Sequence, residues 1–301
     1  MTEQQNKIRR MLTEKSGILL VHYYARPEIQ EIADVLGDSL ALAQAAARSD
    51  ARLIVFAGVH FMAQSAAMLS PQKTILLPRL DAGCPLADMA TVLSVKEMRM
   101  KEPDAVFVTY INSTAEVKAA SDICCTSSNA QKIIQSIPPG RKVVMLPDGN
   151  LARHIASVTG RDIIAWEGCC PVHQALTAED VMARKREYPQ APFAAHPECR
   201  PEVLGLADFV GSTAAILQFA ASSRAKEIII GTETGILAEL QKHNPEKIFI
   251  PASAALFCPD MKKITLDDIE QSLITMQPVI TVPRDISAAA GRTLSKMLAI
   301  S

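Results

Sequence analysis

Short apolar runs alternate with amphipathic or alanine-rich stretches along the whole chain. Each run is too short for a helix, so each predicts a buried strand. The strands predicted in this way are 18–21, 53–57, 74–77, 105–109, 123–125, 143–146, 162–165, 193–195, 208–210, 227–230 and 248–250. Helices are predicted between them, for example over residues 2–15, 40–48 and 61–69. This alternation predicts right-handed crossover units around parallel sheets, and therefore an α/β fold of small three-layer α/β/α sandwiches.

Polar residues that follow these runs recur with one period. Three sets of residues share this period: His22, Tyr110 and His196; Tyr24, Asn112 and Glu198; and Ser39, Ser127 and Ser212. The members of the first two sets are 88 and 86 positions apart, and those of the third are 88 and 85 positions apart. The period predicts a triplication into domains of residues 1–86, 87–172 and 173–261. The tail, residues 262–301, lacks a fourth set, and we expect it to pack on the first domain as helices plus a strand near 279–282.

The position of these sets predicts where a ligand binds. Ligands of parallel sheets gather beyond the carboxyl ends of the strands, so three units facing one axis would form one active site at their central interface. The segments 37–39, 126–128 and 211–213 each precede a helix, where backbone amides and hydroxyls bind phosphate or carboxylate. Serine and threonine are also ordinary helix N-caps. For any single loop that alternative stays open.

Three of the seven cysteines stand out. Cys84, Cys170 and Cys258 are each followed by proline, and they are 86 and 88 positions apart. The other four have neither the proline nor the period: Cys124, Cys125, Cys169 and Cys199. An odd number of cysteines in a chain of this size argues against a disulfide framework and favours metal binding or catalysis for some of them.

Three thiolates in matched positions favour one kind of metal site. They are one fewer than the usual four ligands of an iron–sulfur cluster, and the CxxC pairs of zinc ribbons are absent. A cluster on three cysteines leaves one iron open to act as a Lewis acid in the loss of water. The alternative for any single cysteine is a small buried hydrophobe. Groups suited to acid–base work follow the strands: His22, Tyr24, Tyr110, Asn112, His173, His196 and Glu198.

Composition narrows the range of partners. The 301 residues include 31 basic and 32 acidic side chains, which leave no net field for binding nucleic acid. The first residues contain no apolar segment typical of a signal peptide, and the longest apolar runs are far shorter than a membrane span. We therefore expect a cytoplasmic protein with neither nucleic acid nor membrane as a partner.

Together these motifs resemble the quinolinate synthase family, the iron–sulfur enzymes of NAD biosynthesis, over nearly the whole chain. The matching stretches are 22–24, 37–40, 83–85, 110–114, 125–129, 170–174, 196–199 and 211–213. The resemblance implies three pseudo-equivalent domains and a 4Fe-4S cluster on Cys84, Cys170 and Cys258. It also implies condensation of iminoaspartate with dihydroxyacetone phosphate to quinolinate, with release of phosphate and two waters. An L-aspartate oxidase or aspartate dehydrogenase would supply the iminoaspartate.

The resemblance also implies roles for individual residues. Tyr24 and Glu198 would be the leading proton-transfer groups, with His22, His173 and His196 as further catalytic residues. The implied substrate-binding residues are His22, Ser39, Tyr110, Ile111, Asn112, Ser127, His196, Pro197, Glu198, Ser212 and Thr213. One departure is Ala25, where the family pattern has glutamine.

Two other functions stay open. One is a different hydro-lyase with an open cluster. The other is a non-enzymatic iron or redox sensor, which would need a partner or nucleic-acid surface that the balanced charge does not indicate.

Overall fold

A computed structural model describes all residues, 1–301, and contains three parallel four-stranded sheets with equivalent strand orders. The first, in the order β2-β1-β3-β4, comprises β1 (Gly17–His22), β2 (Val35–Gly37), β3 (Leu53–Ala57) and β4 (Thr74–Leu76). The second, β6-β5-β7-β8, comprises β5 (Val106–Tyr110), β6 (Ile123–Cys125), β7 (Val143–Leu146) and β8 (Ile163–Ala165). The third, β10-β9-β11-β12, comprises β9 (Phe193–Ala195), β10 (Phe209–Val210), β11 (Glu227–Gly231) and β12 (Ile248–Pro251). The predicted α/β class with three related sandwiches is confirmed.

Helices flank the three sheets. They are α1 (Glu3–Glu14), α2 (Pro27–Gln30), α3 (Ser39–Arg48), α4 (His60–Leu69), α5 (Val92–Lys101), α6 (Ala115–Ala119), α7 (Ala130–Ser136), α8 (Gly149–Thr159), α9 (Pro171–Gln174), α10 (Ala178–Glu187), α11 (Pro201–Leu204), α12 (Thr213–Ser222), α13 (Ile236–His243), α14 (Leu266–Thr275) and α15 (Arg284–Ile300). Two 3₁₀ helices cover Pro85–Asp88 and Asp260–Lys262. None of these helices combines the length and the apolar character that crossing a membrane requires.

The strands form because apolar side chains cover both faces of each sheet. All five residues of β3 and all four of β7 are buried, as expected for parallel sheets between two helical layers. The largest cluster of buried apolar side chains contains residues of all three sheets, for example Leu20, Val108 and Ile228. The three units therefore pack against one another and are not strung along flexible linkers.

Each unit begins with a helix capped in the same way. Thr2, Thr91 and Thr177 each accept a hydrogen bond from the third residue of the helix, whose side chain binds back to the threonine amide. Thr265 caps α14 identically, and the four threonines are 89, 86 and 88 positions apart. The tail thus opens with a fourth copy of the first helix, which packs on α1 through the Lys7–Glu270 ion pair at 2.6 Å.

A second repeated device joins the first two strands of every unit. The carboxylates of Asp34, Asp122 and Asp208 each accept a backbone N–H at 2.8 Å from a residue 15 positions earlier. Each aspartate also pairs with a cation on the helix that opens its unit: Arg9, Arg99 and Lys185 respectively. These aspartates share the period of the polar sets, yet they serve the fold.

The rest of the tail differs from the prediction in two ways. Near residues 279–282 the chain makes one antiparallel bridge, between Val279 and Leu76. Its two backbone bonds run from the Ile280 N–H to Ile75 and from the Leu77 N–H to Pro278, which itself has no N–H to return. In addition, α15 contacts α6, β6 and α7 of the second unit as well as α4 of the first. The tail therefore ties the first two units together.

Candidate active site

The carboxyl ends of the three sheets enclose a polar cavity of about 40 Å³. Its lining residues are His22, Tyr24, Asp38, Ser39, Met62, Tyr110, Asn112, Thr126, Ser127, His196, Glu198, Thr213 and Met261. All three units contribute to it. Nine of the residues expected from the sequence therefore lie around one space.

A second, more apolar cavity of about 160 Å³ adjoins the first. Cys84, Cys170 and Cys258 all line it, with His173 and the three prolines that follow the cysteines. The two cavities share the side chains of Tyr24, Asn112, Glu198 and Met261. The acid–base candidates thus stand between the cysteines and the polar cavity.

Short turns after two strands fix the orientation of the His22 and His196 rings. His22 is the last residue of β1 and His196 directly follows β9. In each turn the ring Nδ1 accepts the backbone N–H two residues on, from Tyr24 at 3.1 Å and from Glu198 at 3.3 Å. The proton of each neutral ring is therefore on Nε2, and in His196 this atom lies 3.3 Å from Ser127 Oγ.

Burial sets the charge of these side chains. It lowers the pKa of His22 and of His196 to about 3, so both rings are neutral at pH 7. It raises the pKa of Tyr24 and Tyr110 well above their ordinary values, so both phenols keep their protons. Burial also opposes ionisation of Glu198, but the close contact of its Oε2 with His173 Nδ1, 2.7 Å away, favours the carboxylate, and the pKa of that carboxyl lies below its usual range. The site thus combines a carboxylate with protonated phenols.

A chain of hydrogen bonds joins the two expected proton-transfer groups. Glu198 Oε2 lies 2.7 Å from His173 Nδ1, and His173 Nε2 lies 2.9 Å from Thr232 Oγ1. Thr232 Oγ1 is in turn 2.6 Å from Tyr24 Oη, which also contacts Thr213 Oγ1 at 2.7 Å. Sequence reasoning missed Thr232, because the corresponding positions of the other units carry Gly58 and Pro147. Its one signal is its place directly after β11.

Two buried acceptors face the cavities without a hydrogen-bond partner. They are Glu198 Oε1 and Asn112 Oδ1. An unpaired buried acceptor costs roughly 1–3 kcal/mol, and native proteins keep few of them. Both atoms belong to side chains shared by the two cavities, which suits a ligand that donates to them.

The serine and threonine loops divide into two kinds. Ser39, Ser127 and Thr213 line the polar cavity beside the beginnings of helices. Ser212 instead caps α12, because its hydroxyl accepts the Ala215 N–H at 3.3 Å. The side chains of Ile111, Pro197 and Ser212 line neither cavity.

The cysteines fit an iron–sulfur cofactor. One thiol comes from each unit, and a helical turn begins at the proline after Cys84 and after Cys170. Burial raises the pKa of Cys84 to about 12 and that of Cys170 well above its ordinary value, so a metal must displace the protons. Cys170, His173 and Glu198 also present ligand atoms within 4.8 Å of one another. The four remaining cysteines line neither cavity.

Comparisons with known proteins agree with this geometry. A family model described as quinolinate synthetase A protein matches residues 6–299. The chain is 51% identical over 298 residues to a quinolinate synthase of Geotalea uraniireducens, covering 99% of this chain and 98% of that protein. It is 52% identical over 297 residues to one of Pelobacter propionicus, covering 98% and 97%. It is 48% identical over 294 residues to quinolinate synthase 1 of Methanosarcina acetivorans, covering 98% and 96%. With a match along nearly its whole length, the chain belongs to the quinolinate synthetase A family, the quinolinate synthases of NAD biosynthesis.

Proposed function

We propose that the protein condenses iminoaspartate with dihydroxyacetone phosphate to quinolinate, releasing phosphate and two waters. The observation that carries this proposal is the wall of Tyr24, Asn112 and Glu198 between the two cavities. A substrate in the polar cavity would contact acid–base groups on the side that faces the cysteines. Condensation followed by loss of water needs that combination.

We propose that Cys84, Cys170 and Cys258 hold a 4Fe-4S cluster with one iron free of protein ligands. Three thiols from three units in one cavity support this ligand set. When bound, such an iron supplies a Lewis acid for a substrate hydroxyl or carboxylate.

The side chains of the polar cavity would bind the two anionic substrates. The hydroxyls of Ser39, Ser127 and Thr213 stand near helix beginnings, where phosphate and carboxylate are favoured. His22 and His196 are neutral and offer Nε2–H donors. Uncharged donors can orient an anion without the cost of burying further charge.

Tyr24 and Glu198 would divide the proton transfers between them. Glu198 is ionised and can accept a proton from a substrate carbon, whereas Tyr24 is protonated and can donate to a departing hydroxyl. His173 and Thr232 connect the two groups by hydrogen bonds. The proton taken up by Glu198 can therefore return to Tyr24 along the chain for the next cycle.

The proposed reaction implies a supplier of its substrate. Imines of this kind hydrolyse in water, so an L-aspartate oxidase or aspartate dehydrogenase would supply iminoaspartate directly.

All seven cysteines are free, which suits the reducing cytoplasm.

An anaerobic assay tests the function. Protein purified without oxygen is mixed with dihydroxyacetone phosphate and freshly generated iminoaspartate, and quinolinate and phosphate are measured by mass spectrometry and colorimetry. Equal amounts of quinolinate and phosphate support the proposal. Dehydration of some other hydroxy acid without quinolinate would favour another hydro-lyase, and an iron-loaded protein without any turnover would favour a sensor.

A further inference from the structure

The same backbone hydrogen bond lies beside each cysteine loop. It joins the His60 N–H to the Ala82 carbonyl at 2.8 Å, the Gly149 N–H to Gly168 at 2.7 Å and the Thr234 N–H to Leu256 at 2.8 Å, and each acceptor lies two residues before a cysteine. The residues just before the three donors are therefore equivalent: Val59, Asp148 and Glu233.

Asp148 binds the loop of the second cysteine directly. Its Oδ2 accepts the backbone N–H of Cys170 at 3.0 Å, and its Oδ1 accepts that of Leu151 at 2.7 Å. The side chain is fully buried and pairs with no cation. A Cβ on Gly168 would lie 2.3 Å from the Pro147 carbonyl oxygen. The segment of Pro147 and Asp148 and the loop that precedes Cys170 therefore approach each other as closely as a glycine at position 168 allows.

Glu233 does the same for the third cysteine with a different side chain. Its Oε1 accepts the backbone N–H of Cys258 at 3.1 Å, and its Oε2 accepts that of Gly235 at 2.7 Å. Lys262 Nζ pairs with Oε1 at 3.0 Å and donates to the Tyr24 carbonyl. The carboxylate is 1% exposed.

The first unit has no such group. Val59 is buried and has no acceptor in its side chain, so no side chain at this position holds the Cys84 loop. The three cysteine loops are equivalent in the fold, but only those of Cys170 and Cys258 donate the cysteine N–H to a buried carboxyl group.

We propose, on the basis of the cluster function proposed above, that Asp148 and Glu233 are positioning residues that hold Cys170 and Cys258 for the cluster. A backbone N–H that loses its acceptor inside the protein is left unsatisfied at a cost, so each of these carboxyl groups restrains the cysteine amide that donates to it. Groups that orient metal ligands typically contribute 10- to 100-fold to metal retention. The Cys84 loop lacks this restraint.

Two variants separate this role from helix capping. In Asp148→Asn the amide has one oxygen for two N–H donors, so the cap of α8 or the Cys170 bond must be lost. Asp148→Ser keeps a capping hydroxyl and leaves the Cys170 N–H without a partner. Glu233→Gln is the counterpart in the third unit. Asp208→Asn is the matched control, because it alters the same kind of bond, to Phe193, outside the site.

The test follows each cysteine separately. Protein reconstituted anaerobically with iron and sulfide is exposed to iodoacetamide and an iron chelator, and alkylation is followed by mass spectrometry. We expect Asp148→Ser, which keeps the cap and loses the Cys170 bond, to speed alkylation of Cys170 roughly 10- to 100-fold and to leave Cys258 near its wild-type rate. Glu233→Gln should do the reverse. Asp208→Asn should change neither rate.

Two results would overturn the inference alone. One is an unchanged Cys170 rate in an Asp148→Ser protein that still takes up iron and sulfide. The other is an equal rise at Cys170 and Cys258 in every variant, which would indicate a general loss of stability; melting curves of the cluster-free variants detect that case. A wild-type protein that takes up no iron and sulfide would overturn the proposed cofactor and this inference with it.

Discussion

The two ends of the sheets make different use of the same repeat. Where the first two strands of each unit are joined, Asp34, Asp122 and Asp208 occupy equivalent positions and accept bonds of one length, 2.8 Å. At the carboxyl ends, equivalent positions carry His22 and Tyr110, or Val59 and Asp148. A task that every unit must perform for itself keeps one residue type. A site built around asymmetric substrates needs each function once, so there the copies differ.

Removing a cysteine of the cavity should have the largest effect. Cys170→Ala should lose the visible absorbance, the bound iron and the quinolinate-forming activity together, because Cys169, its neighbour in the chain, lines neither cavity. Cys199→Ala is the control, since Cys199 is buried in the core of the third unit and lines neither cavity. Iron, sulfide and turnover are measured on anaerobic protein. Retention of the cluster in Cys170→Ala, with loss in Cys199→Ala, would reverse the assignment.

Replacing the central carboxylate should come next. Glu198→Gln keeps the shape of the side chain but cannot accept a proton, so we expect turnover to fall roughly 100-fold or more with the cluster retained. The exposed Glu202→Gln serves as the control. Near-normal turnover in Glu198→Gln would assign Glu198 to substrate binding or to structure.

Thr232 offers a smaller, more specific test of the hydrogen-bonded chain. Thr232→Val removes the hydroxyl between His173 and Tyr24, and we expect turnover to fall roughly 10-fold, the size of one buried hydrogen bond to a polar network. KM should change little, and Thr232→Ser should restore most of the rate. Thr293→Val removes another buried hydroxyl, away from both cavities. Equal losses in the two valine variants would indicate packing alone.

The buried histidines predict how stability depends on pH. His22 and His196 have a pKa of about 3 when folded and about 6.5 when unfolded. As the pH falls below 6.5 the unfolded chain binds these protons first, so stability is present above pH 6.5 and is lost toward pH 3. Each ring contributes a slope of up to about 1.4 kcal/mol per pH unit.

Urea unfolding of cluster-free protein at pH 7 and pH 5 measures this slope. His22→Gln should make the dependence shallower, because it removes one buried neutral ring. A slope in His22→Gln as steep as in the wild type would contradict the buried neutral ring.

The caps of the opening helices should give the smallest effect. Thr91→Ala, Thr177→Ala and Thr265→Ala should each cost about 1 kcal/mol of stability, with turnover unchanged. Thr→Ser at the same positions should be nearly neutral. If the loss of a cap lowered turnover without lowering stability, that threonine would serve the site as well as the fold. The contrast between repeated structural residues and unrepeated site residues would then not hold for the caps.

Much of the fold could be predicted from the sequence because short apolar runs have sharp ends. The predicted strands 53–57, 123–125, 143–146 and 193–195 match β3, β6, β7 and β9 residue for residue. The tail strand is shorter than predicted: it pairs with β4 through one bridge, and an apolar pattern does not show how far such a pairing extends. The final helix bridges two units, which depends on long-range packing that a local pattern does not encode.

The site could be predicted as far as its members repeat. The cysteines and the strand-end residues shared a period, and the structure brings nine polar candidates around one cavity. Thr232, Asp148 and Glu233 have no matching chemistry in every unit, so the period could not identify them. Ser212 shared the period but serves as a cap, which shows that a repeated position indicates a place in the fold before it indicates a function.

The position of the cysteines has a consequence for chain entropy. Each cysteine closes one unit, and the opening helix of the next unit, or its copy in the tail, is capped seven residues later. A cluster on all three would act as a cross-link between points 86 and 88 residues apart. By the chain-entropy relation, closing a loop of that length restricts the unfolded chain by roughly 4–5 kcal/mol. On the proposed ligand set, the cofactor would therefore stabilise the three units as one body in the way that a pair of long-range disulfides stabilises a secreted protein.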